Sequence, residues 1–127
     1  MTTVIITTGK EVISESEVQK LGLLGFECEI DPEIVGRLRD SSGKLLPLDC
    51  EILLEGNGGE VSAFGSLYVS SIRRVSQAKS ILVTRFTCLE GNSAQLITEY
   101  LEEGKVTSVK PVTPVVKPVT PVVKLRA

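Results

Sequence analysis

Two alternating segments joined by Gly56-Asn57-Gly58-Gly59 constrain this chain more than any other feature of its sequence. In residues 48–55 the apolar positions are Leu48, Cys50, Ile52 and Leu54, and in residues 61–70 they are Val61, Ala63, Gly65, Leu67 and Val69. A period of two marks a strand buried on one face, and Asn-Gly supplies the positive-φ residues of the tight turn that suits strand twist. A β-hairpin is therefore predicted across the two segments.

Further strands follow from the same pattern. Residues 3–7 are rich in β-branched side chains, residues 26–30 alternate apolar with acidic, and residues 80–88 make a late strand. Ser14 with Glu17 forms a capping-box spacing ahead of Val18 and Leu21, so a short N-terminal helix ending at Gly22 is predicted. A C-terminal helix is expected from Ser93, with Leu96, Ile97, Tyr100 and Leu101 on one face and Gly104 at its end. Residues 30–33, Ile-Asp-Pro-Glu, read as a turn, after which Ile34, Gly36 and Leu38 alternate against Val35, Arg37 and Arg39 as a strand. The competing reading makes Asp31 a helix N-cap with Pro32 in the first turn. Asp40-Ser41-Ser42-Gly43 then marks another turn.

Charge suggests how the middle strands lie together. Glu27 and Glu29 share one outer face, Arg37 and Arg39 the next, Asp49 and Glu51 the third. Opposite charges across a strand pair stabilise and like charges oppose, which places the basic strand between the acidic ones. The expected fold is α+β: an antiparallel sheet of five or six strands, a partly closed barrel or sandwich, with a short N-terminal and a C-terminal helix. Aromatic residues are only 4% of the 127, so its core must be aliphatic.

The end of the chain is of another kind. Residues 109–115, Val-Lys-Pro-Val-Thr-Pro-Val, recur identically as residues 116–122. Two prolines in every seven residues remove backbone donors and hold their neighbours extended, so polyproline II is the expected conformation. Residues 105–127 hold Lys105, Lys110, Lys117, Lys124 and Arg126 and no acid, which gives +5 and leaves −7 on residues 1–104, within a formal total of −2. The expected organisation is a folded domain at 1–104 and an extended basic tail at 105–127.

Composition narrows the chemistry. The chain has no histidine, which removes the commonest general base and the usual partner of a serine or cysteine nucleophile. Cys28, Cys50 and Cys88 are far apart and sit among alternating residues, the setting of buried thiols rather than of a zinc site. Glu27, Glu29, Asp31 and Glu33, like Asp49, Glu51 and Glu55, recur at strand parity, a pattern expected of a solvated face paired with Arg37 and Arg39. A carboxylate dyad is the enzymatic alternative. Gly56-Asn57-Gly58-Gly59 lacks the Lys-Ser/Thr and following helix of a phosphate loop. Arg73-Arg74-Val75-Ser76 matches a basophilic kinase acceptor but reads equally as a solvated turn. Arg37-Leu38-Arg39-Asp40-Ser41-Ser42-Gly43 holds the residue types of the cyclic-dinucleotide receptors in a different spacing, and no family is assigned on it.

Phe64 and Tyr68 lie on the serine-rich face of their strand, opposite its aliphatic face, with Arg73 and Arg74 beyond. A second packed layer is expected to cover that face; a protein interface and base stacking are the alternatives. The resulting expectation is a non-enzymatic binding or assembly module, with no cofactor and no metal, whose tail acts as a tether or docking arm. Its partner is a protein or further copies of itself. Phe64, Tyr68, Arg73, Arg74, Lys110, Lys117 and Lys124 are the candidate partner-binding residues. The rivals are a nucleic-acid binder using the same aromatics, arginines and tail, and a tail that is only a spacer. No secretory signal opens the sequence and no apolar run nears the length of about 18 residues that spans a bilayer, so a cytoplasmic chain with no membrane partner is expected.

Overall fold

Period-two burial recurs from strand to strand and dictates the architecture. The computed structural model describes residues 2–9 and 11–106; the tail repeat, with Lys110, Lys117 and Lys124, lies outside the described residues. Among them six strands, β1 (Thr3–Thr8), β2 (Glu11–Leu21), β3 (Phe26–Ile30), β4 (Leu48–Gly56), β5 (Gly59–Arg74) and β6 (Ser80–Leu89), close into one antiparallel barrel. The order around it is β1-β2-β3-β6-β5-β4. Two three-stranded meanders, β1–β3 and β4–β6, thus meet at two seams, β1 against β4 and β3 against β6.

The predicted hairpin is present. Gly56 pairs with Gly59 around Asn57-Gly58, and the register runs from there to Leu48 opposite Leu67. Its inward row, Leu48, Cys50, Ile52 and Leu54 facing Ala63, Leu67 and Val69, is buried together with Val4, Ile6, Phe26, Cys28, Ile30 and Leu82. Each such aliphatic side chain contributes about 1.5–3 kcal/mol on burial. Phe26 and Phe86 add a tilted ring contact at 5.9 Å.

Both barrel ends are plugged. The helix α2 (Ser93–Glu103) ends at Gly104 in the left-handed conformation, as expected, and closes one end with Leu96 and Ile97. Tyr100 reaches Thr2, hydroxyl to hydroxyl at 2.6 Å. The chain re-enters the core beyond the helix: Val106 is buried and pairs in parallel with Gly56. The opposite end is covered by the crossover from β3 to β4, in which α1 (Pro32–Val35) runs into a 3-10 turn (Gly36–Leu38) that buries Leu38, with Ile34, Val35, Leu45 and Leu46 packed around it.

Three expectations are corrected. Residues 14–21 belong to β2, not to a helix. Ser14 and Ser16 are hydrogen-bonded to each other at an inward-facing parity, so the alternation is real but carried by serines, while pairing with β1 and β3 on either side outweighs the local capping spacing. Residues 32–38 are helical, not a strand: Pro32 occupies the first turn and Asp31 is the extended residue before it. The basic strand between two acidic ones therefore does not exist. Glu27 meets Arg73 at 3.8 Å and Glu29 meets Lys79 at 3.0 Å, while Arg37 binds Glu11 and Arg39 bonds the Gly43 carbonyl. The turn at Asp40 does form. Its carboxylate accepts from the Ser42 hydroxyl and from the Ser42 and Lys44 amides, which holds it below the usual carboxylate range.

The β3–β6 seam is short and depends on two small residues. Beyond the pair Glu27 and Val83, the buried Thr84 hydroxyl takes over from the backbone ladder, accepting from the Phe26 amide at 3.2 Å and donating to the Phe26 carbonyl at 3.0 Å. Gly25 lies so close that a Cβ there would stand 2.1 Å from the Thr84 carbonyl oxygen. Thr84→Val keeps the shape but orphans a buried amide, and is expected to lower the unfolding free energy by about 1–3 kcal/mol in urea titrations. Gly25→Ala forces backbone apart and is expected to lose about 3 kcal/mol or more. Gly36→Ala, in right-handed helical backbone with open space around it, is the control expected to change little.

Candidate functional site

On the outer face of β5, large apolar side chains and charges of both signs adjoin on one strand of the barrel wall. Inward residues alternate with outward Phe64, Ser66 and Tyr68, and the two rings are separated by four residues, about 13 Å. Phe64 is 44% and Tyr68 50% exposed, so the packed layer expected over them is not there. The reason is topological: α2 turns under the end of the barrel, tied at its start by the Ser93 hydroxyl, which accepts from the Phe64 amide at 2.8 Å.

Cross-strand register supplies the surroundings. Glu51 stands opposite Phe64 and Asp49 opposite Ser66 on β4, each carboxylate accepting a serine hydroxyl, from Ser62 at 2.6 Å and Ser66 at 2.8 Å. Arg85 stands opposite Tyr68 and Cys88 opposite Ser66 on β6. Glu90 donates its amide to the Phe64 carbonyl. On the far side of β6, the Leu24 carbonyl accepts from the Phe86 amide, which places the exposed Leu24 beside the same strand.

The other sequence candidates are distributed differently. Arg73 follows Tyr68 along β5 but reaches across to Glu27. Arg74 is tied into the β5–β6 turn by bonds to the Ser76 and Gln77 carbonyls. Phe64 and Tyr68 thus share one face, Arg73 lies farther along it and Arg74 serves the turn. Arg85 was missed as a neighbour because the β5–β6 register shifts twice, between Ser66 and Leu67 and between Val69 and Ser71, whereas Asp49 and Glu51 follow directly from the unbroken β4–β5 register.

A second feature is a polar groove where β2 and β3 part. Their pairing runs only from Leu21 with Phe26 to Val18 with Cys28, and beyond it a cavity of about 380 Å³ opens, lined by Ser14, Glu15, Ser16, Glu17, Glu29, Asp31 and Lys79 among others. Two of the carboxylates singled out from the sequence, Glu29 and Asp31, are here, joined by Glu15 and Glu17. Lys79 bonds Glu29, which holds its ammonium above the ordinary lysine range. Glu15, Glu17 and Asp31 are solvent-exposed, not in the apolar, water-excluded setting where a carboxylic acid does general acid work. No group of three or more ligating side chains suited to a metal ion occurs among the described residues.

The glycine-rich turn is a hairpin tip, and its Asn57 amide is already engaged by the Val106 carbonyl at 3.1 Å. No helix among the described residues is long and apolar enough to cross a membrane. No protein-family model, curated protein or solved structure matches the chain.

Cys28 and Cys50 are buried as expected, and desolvation pushes both thiols up to about 12. Cys88 is exposed, contrary to expectation, because it falls on the outer side of β6 after the register shift. Labelling with a thiol reagent under native conditions is expected to modify Cys88 alone, with Cys28 and Cys50 reacting only after unfolding. Mass spectrometry of the labelled peptides checks this.

Proposed function

We propose that this chain is a non-enzymatic binding and assembly module that offers the outer face of β5 to a protein partner, with the basic tail as a docking arm. The observation that carries the reading is the pair of half-exposed rings, Phe64 and Tyr68, fixed on the wall of a closed barrel. Aromatic side chains on a rigid strand lose little entropy on contact and are the commonest anchors of protein interfaces. The flanking Asp49, Glu51 and Arg85 give such a contact a polar rim. The missing histidine and the solvated or ion-paired carboxylates of the groove argue against acid-base catalysis.

A single-strand nucleic-acid binder is the second reading, favoured by Arg85 opposite Tyr68 and Arg73 farther along the same strand. The acidic body, −7 over residues 1–104, weighs against it.

Affinity capture with the full chain and with a full-length Phe64→Ser/Tyr68→Ser variant separates these readings. The wild type is expected to retain protein partners, its own copies included, and the variant to lose them by about tenfold or more, with circular dichroism and melting unchanged. Equal retention by both proteins overturns the reading. Binding of a single-stranded oligonucleotide that weakens steeply with salt would transfer it to the nucleic-acid alternative.

A further inference from the structure

Two unassigned parts of this molecule match each other. The first is the β5 face, with rings about 13 Å apart and Asp49, Glu51 and Glu90 beside the Phe64 end. The second is the tail sequence. Each repeat contains Lys-Pro-Val-Thr-Pro, at residues 110–114 and 117–121, a proline pair spaced by two residues with a lysine before it. Segments of this kind are read by aromatic-lined surfaces, which take the ready-made polyproline II ridge at small entropic cost, while acidic neighbours take the basic residue. In the polyproline II conformation that the sequence favours, Pro114 and Pro118 would stand about 12 Å apart at about 3.1 Å per residue, close to the ring spacing. The tail carries +5 with no acid, and the face is bordered by three carboxylates against Arg85.

We infer that residues 109–124 of one copy dock on the Phe64–Tyr68 face of a second copy, joining molecules head to tail. This rests on the reading of that face as a binding surface and names its occupant. The way the chain leaves the barrel selects a second copy over its own face. The Val106 amide donates to the Glu55 carbonyl and its carbonyl accepts from Asn57, so Val106 runs parallel to β4 and is directed past the β4–β5 hairpin tip. Phe64 lies back along the barrel wall, opposite Glu51, five residues before Gly56. Two copies that exchange tails reciprocally close as a pair, and copies that pass them on in one direction extend into rings or open chains.

The test uses the full chain throughout. Light scattering is expected to show the wild-type mass rising at least about twofold between about 10 µM and about 500 µM, the range of a weak peptide-like contact. At about 1 M salt, where screening acts within about 3 Å, that rise should shrink. Phe64→Ser/Tyr68→Ser and, separately, Lys110→Glu/Lys117→Glu/Lys124→Glu should each remain monomeric. Their mixture should give a one-to-one pair, because one variant keeps the arm and the other keeps the face. The tail variant leaves every residue of the barrel as in the wild type, so its result stands even if the face variant is destabilised. A wild type monomeric at every concentration, or variants that associate as it does, overturns the inference. So does a monomer that expands when the tail lysines are replaced, which would place the tail on its own face. If the wild type stays monomeric yet captures another protein through Phe64 and Tyr68, the occupant named here is wrong while the binding reading survives.

Discussion

Everything in this barrel depends on two sheets being held shut along seams that the hairpins do not provide. Each meander is built from neighbours in sequence, with tight loops and low closure entropy. The seams β1–β4 and β3–β6 join residues tens of positions apart. The second has only four backbone pairs, and the Thr84 hydroxyl and the bare Gly25 backbone let it continue one step further. Without that continuation Phe26 would not stay beside Phe86, and the inner row from Cys28 to Leu82 would lose its outer guard. The strand on which Phe64 and Tyr68 stand is held in place because the wall is closed on both sides of it.

Much of this was legible in the residues, for identifiable reasons. The β4–β5 hairpin announced itself because a strong turn and two clean alternations agreed. The strands β1, β3 and β6 and the helix α2 followed from the same kinds of signal. In β2 two of the inward positions are Ser14 and Ser16, which break the apolar alternation between Ile13 and Val18, and the spacing of Ser14 and Glu17 pointed elsewhere. At Pro32 two local signals conflicted, and the fixed φ of proline in a first helical turn prevailed over a weak alternation.

The candidate site was readable in part. Strand parity put Phe64 and Tyr68 on one face, but whether that face is covered depends on where α2 travels after Gly91, a tertiary matter. Asp49 and Glu51 come from β4 through the unbroken hairpin register, but Arg85 comes from β6 through a register containing bulges, which no single segment encodes. Arg73 and Arg74 are adjacent in sequence yet serve different partners, because successive residues of a strand point to opposite sides.

The short pairing of Val106 with Gly56 has a mechanical meaning. Tension applied to the C-terminal segment would not peel α2 off the barrel end residue by residue. It would load the bonds to Glu55 and Asn57 along the strand direction, as shear, and both would have to yield together. Val106, buried to 1% exposure, acts as the knot behind them. Molecules strung together through that segment would share strain through the stiff wall of the barrel while the helix stayed in its seat.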